Sequence, residues 1–141
     1  MKRTDIPVID ADSAPYWEGA RNGQLLIAQC GDCDAVHHYP RPFCPHCSGE
    51  AIRPVAASGT GTLYTYSTVY ANDLAPFAER LPYSVGIVEL AEGPRLMTLI
   101  EGTPAAELYV GMPVHAVFRP VDETDSHSPY LTVFTPLKEI S

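Results

Sequence analysis

Two cysteine pairs, Cys30-Gly31-Asp32-Cys33 and Cys44-Pro45-His46-Cys47, stand ten residues apart, and the chain has no other cysteine. A Cys-x-x-Cys knuckle turns tightly enough to present two thiolates to one ion. A second knuckle, after a short returning segment, completes a tetrahedron. The spacing therefore predicts a ribbon built around a metal. Four thiolates close the coordination sphere and leave no position for water or substrate. The metal expected at Cys30, Cys33, Cys44 and Cys47 is thus structural rather than catalytic, and no thiol remains to act as a nucleophile. Zinc is the expected ion. Iron in the same sulfur cage is the alternative, because geometry alone does not separate the two.

Other uses of the cysteines fit less well. Two disulfides would require an oxidising compartment, whereas Met1-Lys2-Arg3 is followed by Thr4 and Asp5 rather than by the apolar run of a secretory signal. A redox Cys-x-x-Cys is usually set in a βαβ pattern, which this sequence lacks. Reduced thiols without a targeting segment point to the cytoplasm. The length, 141 residues, suits one ordinary domain or a small metal module with a small barrel, and 45% hydrophobic content supports a packed core.

Three regions are expected: an arm and helix over 1–24, a zinc ribbon over 25–56 and a barrel over 57–141. Ser13 as N-cap, Pro15 in the first turn and Gly23 at the end frame a short helix that carries Tyr16, Trp17 and Ala20 on one face. Trp17 packs on its own chain or docks on a partner. Leu25 to Gln29 reads as the strand into the first knuckle, and Val36 to Tyr39 as its return. After Ala56-Ala57-Ser58-Gly59 the pattern becomes all β, with strands at 61–70, 83–90, 95–100, 114–121 and 130–134. Five short strands predict a small closed barrel of the OB type, with a sandwich fragment as the alternative. The fold class is thus mainly β: a short N-terminal helix, a rubredoxin-like zinc ribbon and a five-stranded OB-fold barrel. Between the first two barrel strands, Leu74, Phe77 and Leu81 fall at helical spacing, as a cap on the core or as a binding flap.

Taken together, Tyr16-Trp17-Glu18-Gly19, Pro40-Arg41-Pro42-Phe43-Cys44-Pro45 and Ser58-Gly59-Thr60-Gly61-Thr62-Leu63-Tyr64 carry a family resemblance. Leu81-Pro82-Tyr83, Glu92-Gly93-Pro94-Arg95-Leu96 and Gly111-Met112-Pro113-Val114 extend it over most of the chain. The sequence resembles the family, long catalogued as a domain of unknown function, that joins an N-terminal helix, a rubredoxin-like zinc ribbon and a C-terminal OB-fold. The resemblance implies an accessory subunit that assembles with a thiolase-like enzyme or with an acyl-CoA hydratase or aldolase, and that helps hold the acyl-CoA.

The residues set limits on each function class. There is no Gly-x-Ser-x-Gly elbow, phosphate-cradling glycine loop or His-Glu-x-x-His helix. The five histidines, His37, His38, His46, His115 and His127, are each general bases on paper, but residues of this kind more often meet solvent or a backbone carbonyl. No catalytic residue is assigned. Coenzyme A concentrates negative charge on its phosphates, which arginine grips bidentately beside an aromatic wall for the adenine. Arg41 beside Tyr39 and Phe43 is the first candidate, with Arg53 the second. The alternatives are a single-strand nucleic-acid binder, with Tyr64, Tyr66 and Tyr70 as stacking platforms, and a pure scaffold without ligand contact. The net charge of −8 argues against nucleic acid and anionic membranes. Residues 57–141 carry only Arg80, Arg95, Arg119 and Lys138 against ten carboxylates, so an OB barrel here lacks the positive groove that single strands need.

Overall fold

A short helix, a three-stranded ribbon and a closed barrel follow one another in the computed structural model, which describes residues 7, 9–38, 41–71 and 81–137. The helix, α1 (Ala14–Arg21), starts from a reciprocal cap. The Ser13 backbone N–H donates to Asp10 Oδ1 at 2.8 Å, and the Asp10 N–H donates to Ser13 Oγ at 3.2 Å. Ser13 stands at the N-cap position, as the sequence suggests, but the capping bond is made by the Asp10 carboxylate. Ser13 already has helical dihedrals and sends no side-chain bond forward into the helix. At the other end Gly23 takes φ +77°. This lets the Gln24 N–H reach back to the Gly19 carbonyl at 2.8 Å, a Schellman closure.

The ribbon places β1 (Leu26–Cys30) between β2 (Val36–His37) and β3 (Ile52–Ala56), both antiparallel to it. β2 is shorter than the sequence suggests, and Tyr39 lies outside the described residues. β3 is not visible in the sequence pattern. Its Pro54 faces Ala28 in the register, and an edge strand is where proline is tolerated, since its missing N–H costs a ladder bond on one side only.

The barrel has the five expected strands: β4 (Thr60–Val69), β5 (Tyr83–Leu90), β6 (Arg95–Ile100), β7 (Pro113–Pro120) and β8 (Tyr130–Pro136). They close in the order β4-β5-β6-β8-β7, the OB arrangement. Strict alternation of buried and half-buried residues along β5 shows the mechanism: one face turns to the core and the other outward. The register of β4 against β5 slips between Leu63 and Thr65, a bulge at Tyr64. The seam between β6 and β8 is short, with one parallel pair, Ile100 with Phe134. Beside it, Thr98 Oγ1 donates to the Thr132 carbonyl at 3.2 Å.

Leu63, Val88, Leu96, Val114 and Phe134 fill the barrel, and the same buried cluster takes in Leu25 and Ile27 from the ribbon. Ribbon and barrel thus share one apolar core. Helix α1 is fastened to the barrel at three points. Tyr16 Oη donates to Thr132 Oγ1 at 2.9 Å, and Arg21 donates to the Ser126 and Ser128 carbonyls at 3.3 and 2.6 Å. Trp17 is half-buried, with its ring edge-on to Tyr16 at 5.0 Å. Leu74 and Phe77 lie outside the described residues.

Candidate metal centre and the adjoining hollow

The two knuckles are built alike. Cys30 N–H donates to the Ala35 carbonyl at 2.9 Å and Cys44 N–H to the Gly49 carbonyl at 2.7 Å. Asp34 and Ser48 N–H groups then return to the Cys30 and Cys44 carbonyls, each at 2.9 Å. Asp34 and Ser48, each one residue past the second cysteine of its pair, have positive φ, 63° and 65°. That left-handed step turns the chain back under the sulfurs. Asp32 and His46 N–H groups donate to Cys30 and Cys44 Sγ at 3.3 Å each, and Gly49 N–H to Cys47 Sγ at 3.4 Å. Amide donors of this kind stabilise thiolate character.

All four ligand atoms lie within 4.8 Å of one another. Sγ of Cys30 and Cys47 are 3.6 Å apart, and those of Cys33 and Cys44 are 3.7 Å apart. A tetrahedron with metal–sulfur bonds of about 2.3 Å has edges of about 3.8 Å, so the cage fits one ion of that kind. Cys30 and Cys44 are buried, whereas Cys33 and Cys47 are exposed. The protons show why a cation belongs here. Burial pushes the Cys44 thiol up, but the Cys47 and His46 amides and the Cys33 and Cys47 sulfurs outweigh it and bring the group down to about 7. The Gly49 amide pulls Cys47 down, yet the Cys30 and Cys33 sulfurs, burial and Cys44 together push it up to about 12. Four sulfurs this close can all be anionic only around a shared positive charge. Arg41, His37 and His46 lie nearby, but none replaces a ligand. The group has the donor set and spacing of a closed, structural metal site.

Behind the ribbon is a hollow of about 230 Å³. Arg41 lies on its wall with Tyr16, His38, Ile52 and the carboxylates Asp12 and Glu50. Arg41 is exposed and makes no hydrogen bond or ion pair among the described residues. Phe43, two residues on, is 48% exposed. Arg53 is placed elsewhere: on β3 it donates to Gln29 Oε1 of β1 at 2.9 Å, while its neighbours Ile52 and Pro54 line the hollow. The structure therefore brings Arg41, but not Arg53, to this hollow.

Two residues depart from expectation. His37 and His38 are each only 8% exposed, rather than turned to solvent. His37 pairs with Ala28 of the central strand, and the edge of His38 meets Tyr16 at 5.5 Å. Neither ring nitrogen of His37 has a hydrogen-bond partner among the described residues. Burial pulls the His38 imidazole down to about 4, helped by His37, and lowers that of His37, helped by Arg41 and His46. Tyr16 and His38 beside Arg41 were not legible in the sequence, because α1 and the ribbon meet only in three dimensions.

Of the three barrel tyrosines, Tyr64 and Tyr66 are already engaged, whereas Tyr70 stands 72% exposed. Arg95 lies over the Tyr64 ring at 4.0 Å and pairs with Glu89 at 2.9 Å. Tyr66 Oη donates to the Leu108 carbonyl at 2.9 Å. Among the described residues, the arginine beside this aromatic row is therefore paired with a carboxylate. No helix among the described residues is long and apolar enough to cross a membrane.

Residues 17–53 match the ChsH2 rubredoxin-like zinc ribbon domain, and residues 54–119 match the ChsH2 C-terminal OB-fold domain. A probable enoyl-CoA hydratase alpha subunit of Thermomonospora curvata is 39% identical over 108 residues, 77% of this chain and 33% of that protein. The chain thus spans about a third of that subunit's length. A DUF35 domain-containing scaffold protein of Methanocaldococcus jannaschii is 35% identical over 111 residues, 76% of this chain and 77% of that protein. Among solved structures, a chain of the Ltp2-ChsH2(DUF35) aldolase superposes with TM-score 0.80 and 35% identity, over 92% of this chain and 98% of that one. Helix, four-sulfur ribbon and OB barrel, in that order and over that length, place this chain in the DUF35 family.

Proposed function

We propose that this chain is a non-catalytic accessory subunit of the cytoplasm. In this reading Cys30, Cys33, Cys44 and Cys47 hold a structural zinc, and the chain assembles with a thiolase-like, hydratase or aldolase enzyme acting on an acyl-CoA. The observation that carries this reading is the gathering of all four thiols within 4.8 Å of one another, as one closed cage needs. An acyl-CoA chemistry that needs a nucleophilic thiol or an open metal must then come from another polypeptide. The likeness to a scaffold protein and to the DUF35 chain of an aldolase supports a helper role.

Within that role, Arg41 grips a CoA phosphate from the hollow, with Tyr16 and Phe43 as apolar surface for the nucleotide. The support is that among the described residues its guanidinium makes no hydrogen bond or ion pair, since an arginine already paired would have to break that bond first. Asp12 and Glu50 oppose an anion, so the phosphate sits on the Arg41 side of the hollow. The test is acyl-CoA titration of the assembled complex. Arg41→Ala should weaken binding about tenfold or more, the value of one charge-assisted hydrogen-bond pair, while bound metal stays at one ion per chain. Unchanged affinity removes Arg41 from the site. Purification of the tagged chain from its native cytosol tests the wider reading, which fails if no acyl-CoA enzyme accompanies it.

A further inference from the structure

A groove of about 950 Å³ runs between α1 and the outside of the barrel. Val85 of β5, Met97 and Leu99 of β6, and Leu131 and Val133 of β8 form its floor, and Trp17 walls one side. An outer barrel face ordinarily alternates to polar side chains. Here Met97 stands 68% exposed between buried Leu96 and Thr98. A continuous apolar strip on an outward face marks an interaction surface.

The charges on the rim select the occupant. Arg119 is spent on Glu101 at 2.8 Å. Asp10 and Glu123 line the same groove and make no ion pair among the described residues. Asp10 caps the start of α1. Arg21, in the last turn, holds Ser126 and Ser128 of the loop that also carries Glu123. These two carboxylates, neither in an ion pair among the described residues, therefore sit toward opposite ends of an eight-residue helix, about 12 Å long. The shape of the occupant follows from the seam. Thr98 Oγ1 already bonds the Thr132 carbonyl across it at 3.2 Å, which leaves no room for an added strand between β6 and β8. A guest that rests on side chains alone must satisfy its own backbone, as a helix does.

We propose that this groove receives an amphipathic helix of the partner enzyme, apolar face down, with Lys or Arg near each end to meet Asp10 and Glu123. This rests on the accessory-subunit reading and specifies the chemistry of the contact.

The test uses the full metal-loaded chain and two fluorescent helical peptides of about 14 residues, long enough to span the groove. Both carry Leu at i, i+3, i+4 and i+7. One is flanked by Lys, the other by Glu. Anisotropy at low salt should show the Lys-flanked probe bound about tenfold more tightly, with the gap closing at high salt. Asp10→Asn with Glu123→Gln should equalise the two probes, since Asn preserves the helix cap. Met97→Glu should abolish binding of both, and its exposed position keeps the fold intact, which circular dichroism and metal content confirm. Equal affinity of the two probes, or binding of neither, overturns the proposal. So does self-association of the wild type that Met97→Glu abolishes, because the groove then belongs to a second copy. Co-purification separates this failure from that of the wider reading. An acyl-CoA enzyme captured equally by wild type and Met97→Glu overturns the groove and leaves the accessory role standing. The absence of any such enzyme overturns the accessory role, while the peptides still judge the groove.

Discussion

Burial holds the His38 imidazole neutral, with its pKa pulled from the ordinary histidine value down to about 4. The sign of the consequence is fixed. The unfolded chain takes up a proton near pH 6.5 and the folded chain does not until near pH 4, so the unfolded state binds more protons between these values. The contribution of His38 to stability is complete above about pH 6.5, falls as pH drops toward 4 and is flat below. The shift corresponds to about 3 kcal/mol at most. His37, lowered in the same direction, adds to the slope. His38→Gln should flatten the dependence of unfolding free energy on pH over this window, measured by denaturant titration at pH 7 and 4.5 with bound metal checked at each. Parallel pH slopes for the two proteins would refute it. None of this was legible from the letters. The run Val36-His37-His38 carries no period that marks both histidines as inside, and their cover comes from Ala28 and Tyr16, eight or more residues away along the chain. The cysteines were legible because their chemistry depends on local spacing.

At the scale of elements, the barrel strands could be read because alternation with β-branched and aromatic residues is a local signal. β3 could not: Ile52-Arg53-Pro54-Val55-Ala56 has a proline at its centre and acquires its strand character from the ladder with β1. Helix α1 was legible in its terminator but only in part at its start, where Ser13 holds the cap position and Asp10 makes the bond. The terminator gives a direct prediction. Gly23→Ala places a Cβ on a backbone at φ +77° and should cost about 1 kcal/mol, read as a lower melting temperature without loss of metal. Gly19 is constrained differently. A Cβ there would come within 2.7 Å of the Leu26 side chain, so α1 and β1 approach as closely as they do because this position has none. In the barrel, Phe134 is fully buried and is itself half of the single pair that links β8 to β6. Phe134→Ala should cost about 3–5 kcal/mol by chemical denaturation, the range for emptying an aromatic site. A cost under about 1 kcal/mol would mean that the seam collapses to refill it.

In the whole molecule, the metal ribbon and the barrel share a buried cluster in which Leu25 and Ile27 stand with Leu63 and Val114. Structural metal sites of this class contribute on the order of 10 kcal/mol to folding. Removing the ion should therefore be felt beyond the ribbon. Chelation, or Cys44→Ser, should lower the melting temperature of the barrel, followed by near-ultraviolet circular dichroism, by about 10 °C or more. A barrel that melts unchanged without metal would show that the two parts are energetically separate. The large groove belongs to the same scale. It is assembled from α1, four barrel strands and a loop, so no window of sequence displays it.

The shared core also has a cellular reading. If the chain holds the ion and then loses it, the strand on which the helix and barrel lean should loosen, and with it the surfaces that the proposed companion enzyme would meet. Under the proposed accessory role, trace-element supply would then set how many copies become competent to assemble, so that starvation for the ion would reach a partner's chemistry through its helper.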